Sequence, residues 1–117
     1  MQRDWDTVRR ILLAVEALPT ESSQVDSAEI PGIEQEAAAY HLRLLLEAGL
    51  IKGGCRSALG PAWCYATALT WAGHEFLDTI RQASMWSRIK ASAREKGLDL
   101  TLSSILALAK ALMEAAI

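Results

Sequence analysis

Apolar residues recur at helical spacing from the start of the chain. Trp5, Val8, Leu12 and Val15 fall at i, i+3, i+7 and i+10, joined by Ile11 and Leu18, while Arg9, Arg10 and Glu16 lie off the stripe. Asp4 suits the N-cap and Pro19 ends the helix. Residues 20–27 read as polar turn or short strand around Val25, and Pro31-Gly32 marks a second start. The pattern is helical again from Glu34 to Ala48. Gly49 then stands where a left-handed residue is wanted, with Leu50 packing back on Leu45 or Leu46. Wheel arithmetic assigns Ile33, Ala37, Ala38, Leu42, Leu44, Leu45 and Ala48 to a broad apolar arc. It assigns Gln35, Glu36, Ala39, Arg43 and Glu47 to the outward side.

The period then changes. Residues 50–52 read as a short strand, residues 53–61 as a glycine-rich tip, and residues 63–69 as a returning strand with Trp63, Tyr65, Thr67 and Leu69 on one face. Thr70 is a fitting N-cap for a third helix carrying Phe76, Leu77 and Ile80. Ser84 is the candidate cap of a fourth, with Trp86, Ile89 and Ala93, ending at Gly97; the third and fourth equally read as one kinked helix. Thr101 caps a last helix in which Leu102, Ile105, Ala109, Leu112 and Ala116 follow a 3-4-3-4 spacing, widened by Leu106 and Met113. The expected fold class is α+β, mostly α. It is a single winged-helix-like domain over 1–117, with a helix-helix-wing core at 1–70 and C-terminal helices at 71–117.

The blocks Leu45-Leu46-Glu47-Ala48-Gly49-Leu50-Ile51 and Leu69-Thr70-Trp71-Ala72-Gly73-His74-Glu75-Phe76-Leu77 resemble the helix-to-wing and wing-exit segments of many bacterial winged-helix regulators. Together with Asp4-Trp5-Asp6, Arg9-Arg10-Ile11-Leu12-Leu13-Ala14, Tyr40-His41-Leu42, Asp78, Trp86 and Lys90, they make the whole chain similar to one family. It is an uncharacterised phage and prophage family catalogued as domain of unknown function twenty-five thirteen. The resemblance implies a family and no activity. In one respect the chain departs from ordinary winged helices: the link from Pro19 to Pro31 is too polar and short for a middle helix.

Composition narrows the class. Of 117 residues, 51% are hydrophobic and 22% charged, which argues against a disordered chain. No apolar run reaches the roughly 18 residues of a bilayer span, and the first residues lack a signal peptide's apolar stretch, so a cytoplasmic location without membrane contact is expected. Cys55 and Cys64, nine apart with no second pair, argue against a disulfide framework and against a zinc cluster. Cys55 reads as an exposed tip thiol and Cys64 as a small core hydrophobe. His41 and His74, the two histidines, have no metal-ligand spacing and read as rings tied to backbone or to a wing residue. Neither a nucleophile with a neighbouring base nor a phosphate loop opening a helix is present, so no enzyme, metal or cofactor is expected.

Charge bears on partners. Twelve basic against fourteen acidic residues give a net charge of −2, with no global field for nucleic acid. Residues 81–96 nevertheless hold five bases and one acid, whereas the first 60 hold six bases and nine acids. Two functions follow as expectations. In the first, the protein is a DNA-binding transcription regulator in which Gln35, Ala39, Tyr40 and Arg43 enter the major groove and Lys52 and Arg56 on the wing touch the backbone. Glu34, Glu36 and Glu47 oppose it, and Arg43 has Glu47 at i+4 as an alternative partner. In the second, the shape holds another protein, as a phage or defence-system accessory does. A homodimer through Leu102, Ile105, Ala109, Leu112 and Ala116 is expected in either case, the rival being that this seam packs on the helix carrying Phe76 and Ile80 within its own chain.

Overall fold

A computed structural model describes residues 1–56 and 60–115. They form five helices and a three-stranded antiparallel sheet, divided into two compact units, 1–75 and 76–117. The fold is α+β and mostly helical.

The first unit opens with α1 (Trp5–Glu16). The Oδ1 of Asp4 accepts from the backbone N–H of Asp6 at 2.9 Å and of Thr7 at 3.4 Å, supplying two of the donors a helix start leaves without partners. Val8, Ile11, Leu12 and Val15 are buried, as the stripe predicts. After β1 (Val25–Asp26) the chain makes turns in place of a middle helix and enters α2 (Gln35–Glu47). Gly49 has φ 73°, a left-handed conformation that glycine adopts without a Cβ penalty. Its N–H reaches the Leu46 carbonyl at 3.1 Å while Leu50 N–H reaches Leu45 at 3.0 Å, so the two bonds of a Schellman turn stop the helix and aim Leu50 at the core.

The strands β2 (Ile51–Cys55) and β3 (Cys64–Leu69) pair antiparallel, and β1 adds to the far side of β3, giving the order β1-β3-β2. Two expectations are corrected here. Gly53 and Gly54 are strand residues, not a turn. A Cβ on Gly53 would lie 2.0 Å from the Tyr65 carbonyl oxygen, so glycine is what lets the ladder run so close. Leu69 is buried and does not share a face with Trp63, Tyr65 and Thr67. Lys52 faces Ala68 but Gly53 faces Ala66, so Thr67 is the extra residue of a bulge on β3 and the alternation changes sides beyond it.

The segment after β3 is tied to the end of α2 within the same unit. Thr70 Oγ1 donates to the Gly49 carbonyl at 2.6 Å and accepts from Gly73 N–H at 3.0 Å, capping α3 (Trp71–Ile80). Thr70 N–H reaches the Leu50 carbonyl at 3.0 Å, and a Cβ on Gly73 would come within 1.9 Å of that carbonyl oxygen. The block Thr70-Trp71-Ala72-Gly73 is thus a strand-to-helix weld in which both the hydroxyl and the missing Cβ are used.

The second unit holds the end of α3, then α4 (Ala83–Lys96) and α5 (Leu102–Ala115), which pack on each other. The third and fourth helices are separate, and α4 is capped by Gln82 in extended conformation, not by Ser84, which is its second residue. Trp86, Ile89 and Ala93 are buried as expected. Thr101 Oγ1 accepts from Ser104 N–H at 3.0 Å and Ser104 Oγ from Thr101 N–H at 2.8 Å, a reciprocal cap that starts α5.

Candidate nucleic-acid interface

Two exposed elements of the first unit carry the cations singled out in the sequence. On α2, Gln35, Glu36, Arg43 and Glu47 are exposed and Tyr40 is half-buried. Ala39 is a correction: it is fully buried, because α1 covers one flank of α2 and the β2–β3 hairpin another, drawing the alanine-rich arc inside. It can reach no base. Among the described residues no ion pair joins Arg43 to Glu47, so the i, i+4 alternative is not realised. His41 is buried with both ring nitrogens engaged: Nδ1 donates to the Ala37 carbonyl at 2.7 Å and Nε2 accepts from Asp4 N–H at 2.8 Å. This is the neutral tautomer with the proton on Nδ1, fixed by its two partners. The Tyr40 ring meets His41 edge-on, with centroids 5.5 Å apart.

The β2–β3 hairpin is built differently. Trp63, Tyr65 and Thr67 stand half-exposed on its outer face, opposite the buried Cys64 and Ala66. The Trp63 and Tyr65 rings lie side by side with centroids 5.5 Å apart and a 37° tilt. The Arg56 guanidinium lies 4.9 Å from the Trp63 ring centre, and the Arg56 backbone N–H donates to the Trp63 carbonyl at 2.8 Å, which sets the two residues on facing strands. A Cβ on Gly54 would meet the Tyr65 ring at 3.2 Å, so the bare glycine is the floor on which that ring lies. Lys52 is exposed at the other end of the strand. Between Glu47 and Glu75 the chain carries no acidic residue. Ser57, Ala58 and Leu59, part of the expected glycine-rich tip, lie outside the described residues.

Cys55 and Cys64 are directly opposed across the two strands, Cα to Cα 4.0 Å, and joined as a disulfide. This overturns the reading of an exposed thiol and an isolated core thiol, although Cys64 is as buried as expected. The available signal was register: counted inward from the tip, both cysteines reach the same rung once the glycines belong to the strand.

Other candidates fall elsewhere. His74 is exposed and lines an open groove of about 340 Å³ with Val15, Leu18, Leu69, Glu16 and Glu21. Trp71, which no polarity pattern marks as a surface residue, is 82% exposed, its indole N–H donating to the Glu75 carboxylate. In the basic 81–96 stretch, Arg81 pairs with Asp78 at 2.7 Å, Lys90 lies 5.4 Å from the Trp86 ring, and Arg88, Arg94 and Lys96 are exposed. On α5 the expected dimer seam is mostly the inward face. Ile105 and Ala109 are buried within the chain and Leu102 and Leu112 half-buried, while Leu106 and Met113 face solvent; Ala116 lies outside the described residues. Within its own chain α5 packs on α4, whereas the rival reading named the helix carrying Phe76 and Ile80. Among the described residues no three His, Cys, Asp or Glu side chains come together to hold a metal ion, and no helix is long and apolar enough to cross a membrane.

The described geometry is that of an α+β protein with a cation-bearing, aromatic-faced hairpin. The model of the family described as Hypothetical protein (DUF2513) matches residues 2–99, and the chain belongs to that family. It is also 38% identical over 105 residues, 90% of this chain and 89% of the relative, to a curated Haemophilus influenzae protein described as "Uncharacterized protein". No solved structure matches the chain.

Proposed function

We propose that this chain is a winged-helix protein that binds duplex DNA as a transcription regulator, acting by binding and not by chemistry. The observation that carries the reading is Arg56, held against Trp63 on a hairpin whose flanking sequence has no carboxylate for 27 residues, 48–74. A guanidinium fixed in this way has lost side-chain freedom before any phosphate arrives, so less of the contact energy is spent on ordering it. The element order and the β1-β3-β2 sheet support a wing made of β2 and β3, with α2 as the helix beside it. Lys52 and Arg56 then contact phosphates, and Gln35, Tyr40 and Arg43 lie toward base edges. A cytoplasmic setting and a phage or prophage origin belong to the same proposal.

The test is anisotropy of a labelled duplex titrated at several salt concentrations. The expected result is an association constant falling linearly with salt on logarithmic axes, with a slope matching about two to four neutralised phosphates. Absence of binding at the lowest salt removes the reading. A protein-holding role is the second reading, favoured by the carboxylates of α2 and by the exposure of Trp71. A homodimer, in either reading, uses the outer face of α5 at Leu106 and Met113, since Ile105 and Ala109 are already covered.

A further inference from the structure

The disulfide occupies a particular place. Cys55 immediately precedes Arg56, and Cys64 immediately follows Trp63, so the bond clamps the two strands one rung from the guanidinium–indole contact. The strand pairing does not end at it. The ladder already pairs Ile51 with Leu69 and continues past the bond through Arg56 N–H to the Trp63 carbonyl, while β1 holds the other edge of β3 at Val25 and Ala66. The two cysteines also differ in exposure, since Cys55 is half-buried and Cys64 fully buried.

Resting on the DNA-binding reading, we propose that Cys55 and Cys64 form a reversible dithiol–disulfide latch that sets how firmly Arg56 is presented. Where thiols are kept reduced, the disulfides that do form are usually transient and redox-sensing. The reductant is a thioredoxin-class dithiol. Its thiolate attacks the Sγ of Cys55, the more exposed of the two residues, the Cys55–Cys64 bond breaks, and Cys64 leaves as a thiolate that takes a proton. The reductant's second thiolate then attacks the mixed disulfide and releases Cys55, which is protonated in turn. Two electrons and two protons have passed to the chain, and the reductant ends as a disulfide. Glutathione disulfide reverses the step, yielding two molecules of glutathione. With the clamp open, the Arg56–Trp63 rung holds by one hydrogen bond and one ring contact alone.

The experiment takes the full chain through oxidised and reduced glutathione buffers. Mass spectrometry after thiol alkylation reads the state of the pair, trypsin cleavage after Arg56 reads the tip, and duplex anisotropy reads binding. The expected result is full, repeatable interconversion with unchanged far-ultraviolet circular dichroism. Reduction should speed cleavage at Arg56 several-fold and weaken duplex binding several-fold, and Cys55→Ser with Cys64→Ser should match the reduced chain in every buffer. Thiols that stay free in the oxidising buffer, equal cleavage in both states, or unfolding on reduction would each overturn the latch. If cleavage responds and neither state binds DNA, the latch stands and the DNA reading falls.

Discussion

Both α2 and the β2–β3 hairpin project cations from the first unit, and they present them in opposite ways. Arg43 extends from a helix that also carries Glu36 and Glu47 and starts after Glu34, with no ring or carboxylate among the described residues to hold it. Arg56 lies on Trp63 in a stretch with no acid at all. A phosphate approaching α2 meets more negative than positive charge, whereas one approaching the hairpin meets an ordered guanidinium and a lysine. The lesson is that the element expected to read a groove need not be the one that supplies the attraction. Local charge balance and side-chain order decide that, and the net charge of the chain conceals both.

The comparison is broken most severely by removing the hairpin. Gly53→Ala forces a Cβ into the Tyr65 carbonyl, so it should cost upwards of about 3 kcal/mol by overpacking against backbone that cannot yield. Gly49→Ala, at the end of α2, meets nothing within 4 Å and carries only the left-handed penalty, about 1–2 kcal/mol. Urea unfolding of the two variants measures the difference, and equal losses would mean the bulge is not as tight as described. Next in size is His41→Leu, which strands the Asp4 N–H; leaving such a group unpaired should cost about 1–3 kcal/mol. Hydrogen exchange should place the new openings at the start of α1, and unaltered protection there would contradict the assigned bonds.

The smaller effects concern binding. Trp63→Ala removes the surface under Arg56 and should lower duplex affinity about as much as Arg56→Ala, by about three- to tenfold, with little change in far-ultraviolet circular dichroism. Loss in only one of the two would show that ring and guanidinium do not act together. Glu36→Gln with Glu47→Gln should raise affinity by about two- to threefold at low salt, an effect that fades at high salt. A change of the opposite sign would mean that α2 meets a cationic partner.

How much of this could be read from residues alone follows from how local each cause is. Asp4, Gly49 and Thr70 act on the backbone within a few residues, and their roles are visible in the chain. The stripe of α1 is equally plain, because one face is buried and the others are wet. Ala39 was misplaced because α2 is covered on two flanks, and a wheel with one inside cannot express that. Leu69 changed sides because a bulge at Thr67 breaks the period of two, which no pattern of polarity announces. The α5 seam pointed to a partner, but the partner it found was α4. The disulfide stayed hidden because glycines signal turns more often than ladders, and only with Gly53 and Gly54 in the strand do the cysteines align.

The most direct test is a salt-dependent titration of one labelled duplex with the oxidised wild-type chain, Arg56→Ala and Arg43→Ala. If the hairpin is the electrostatic footing, Arg56→Ala weakens binding and lowers the salt slope by about one unit, while Arg43→Ala leaves the slope nearly unchanged. The reverse ranking, with the slope lost on α2 and kept on the hairpin, would contradict the account.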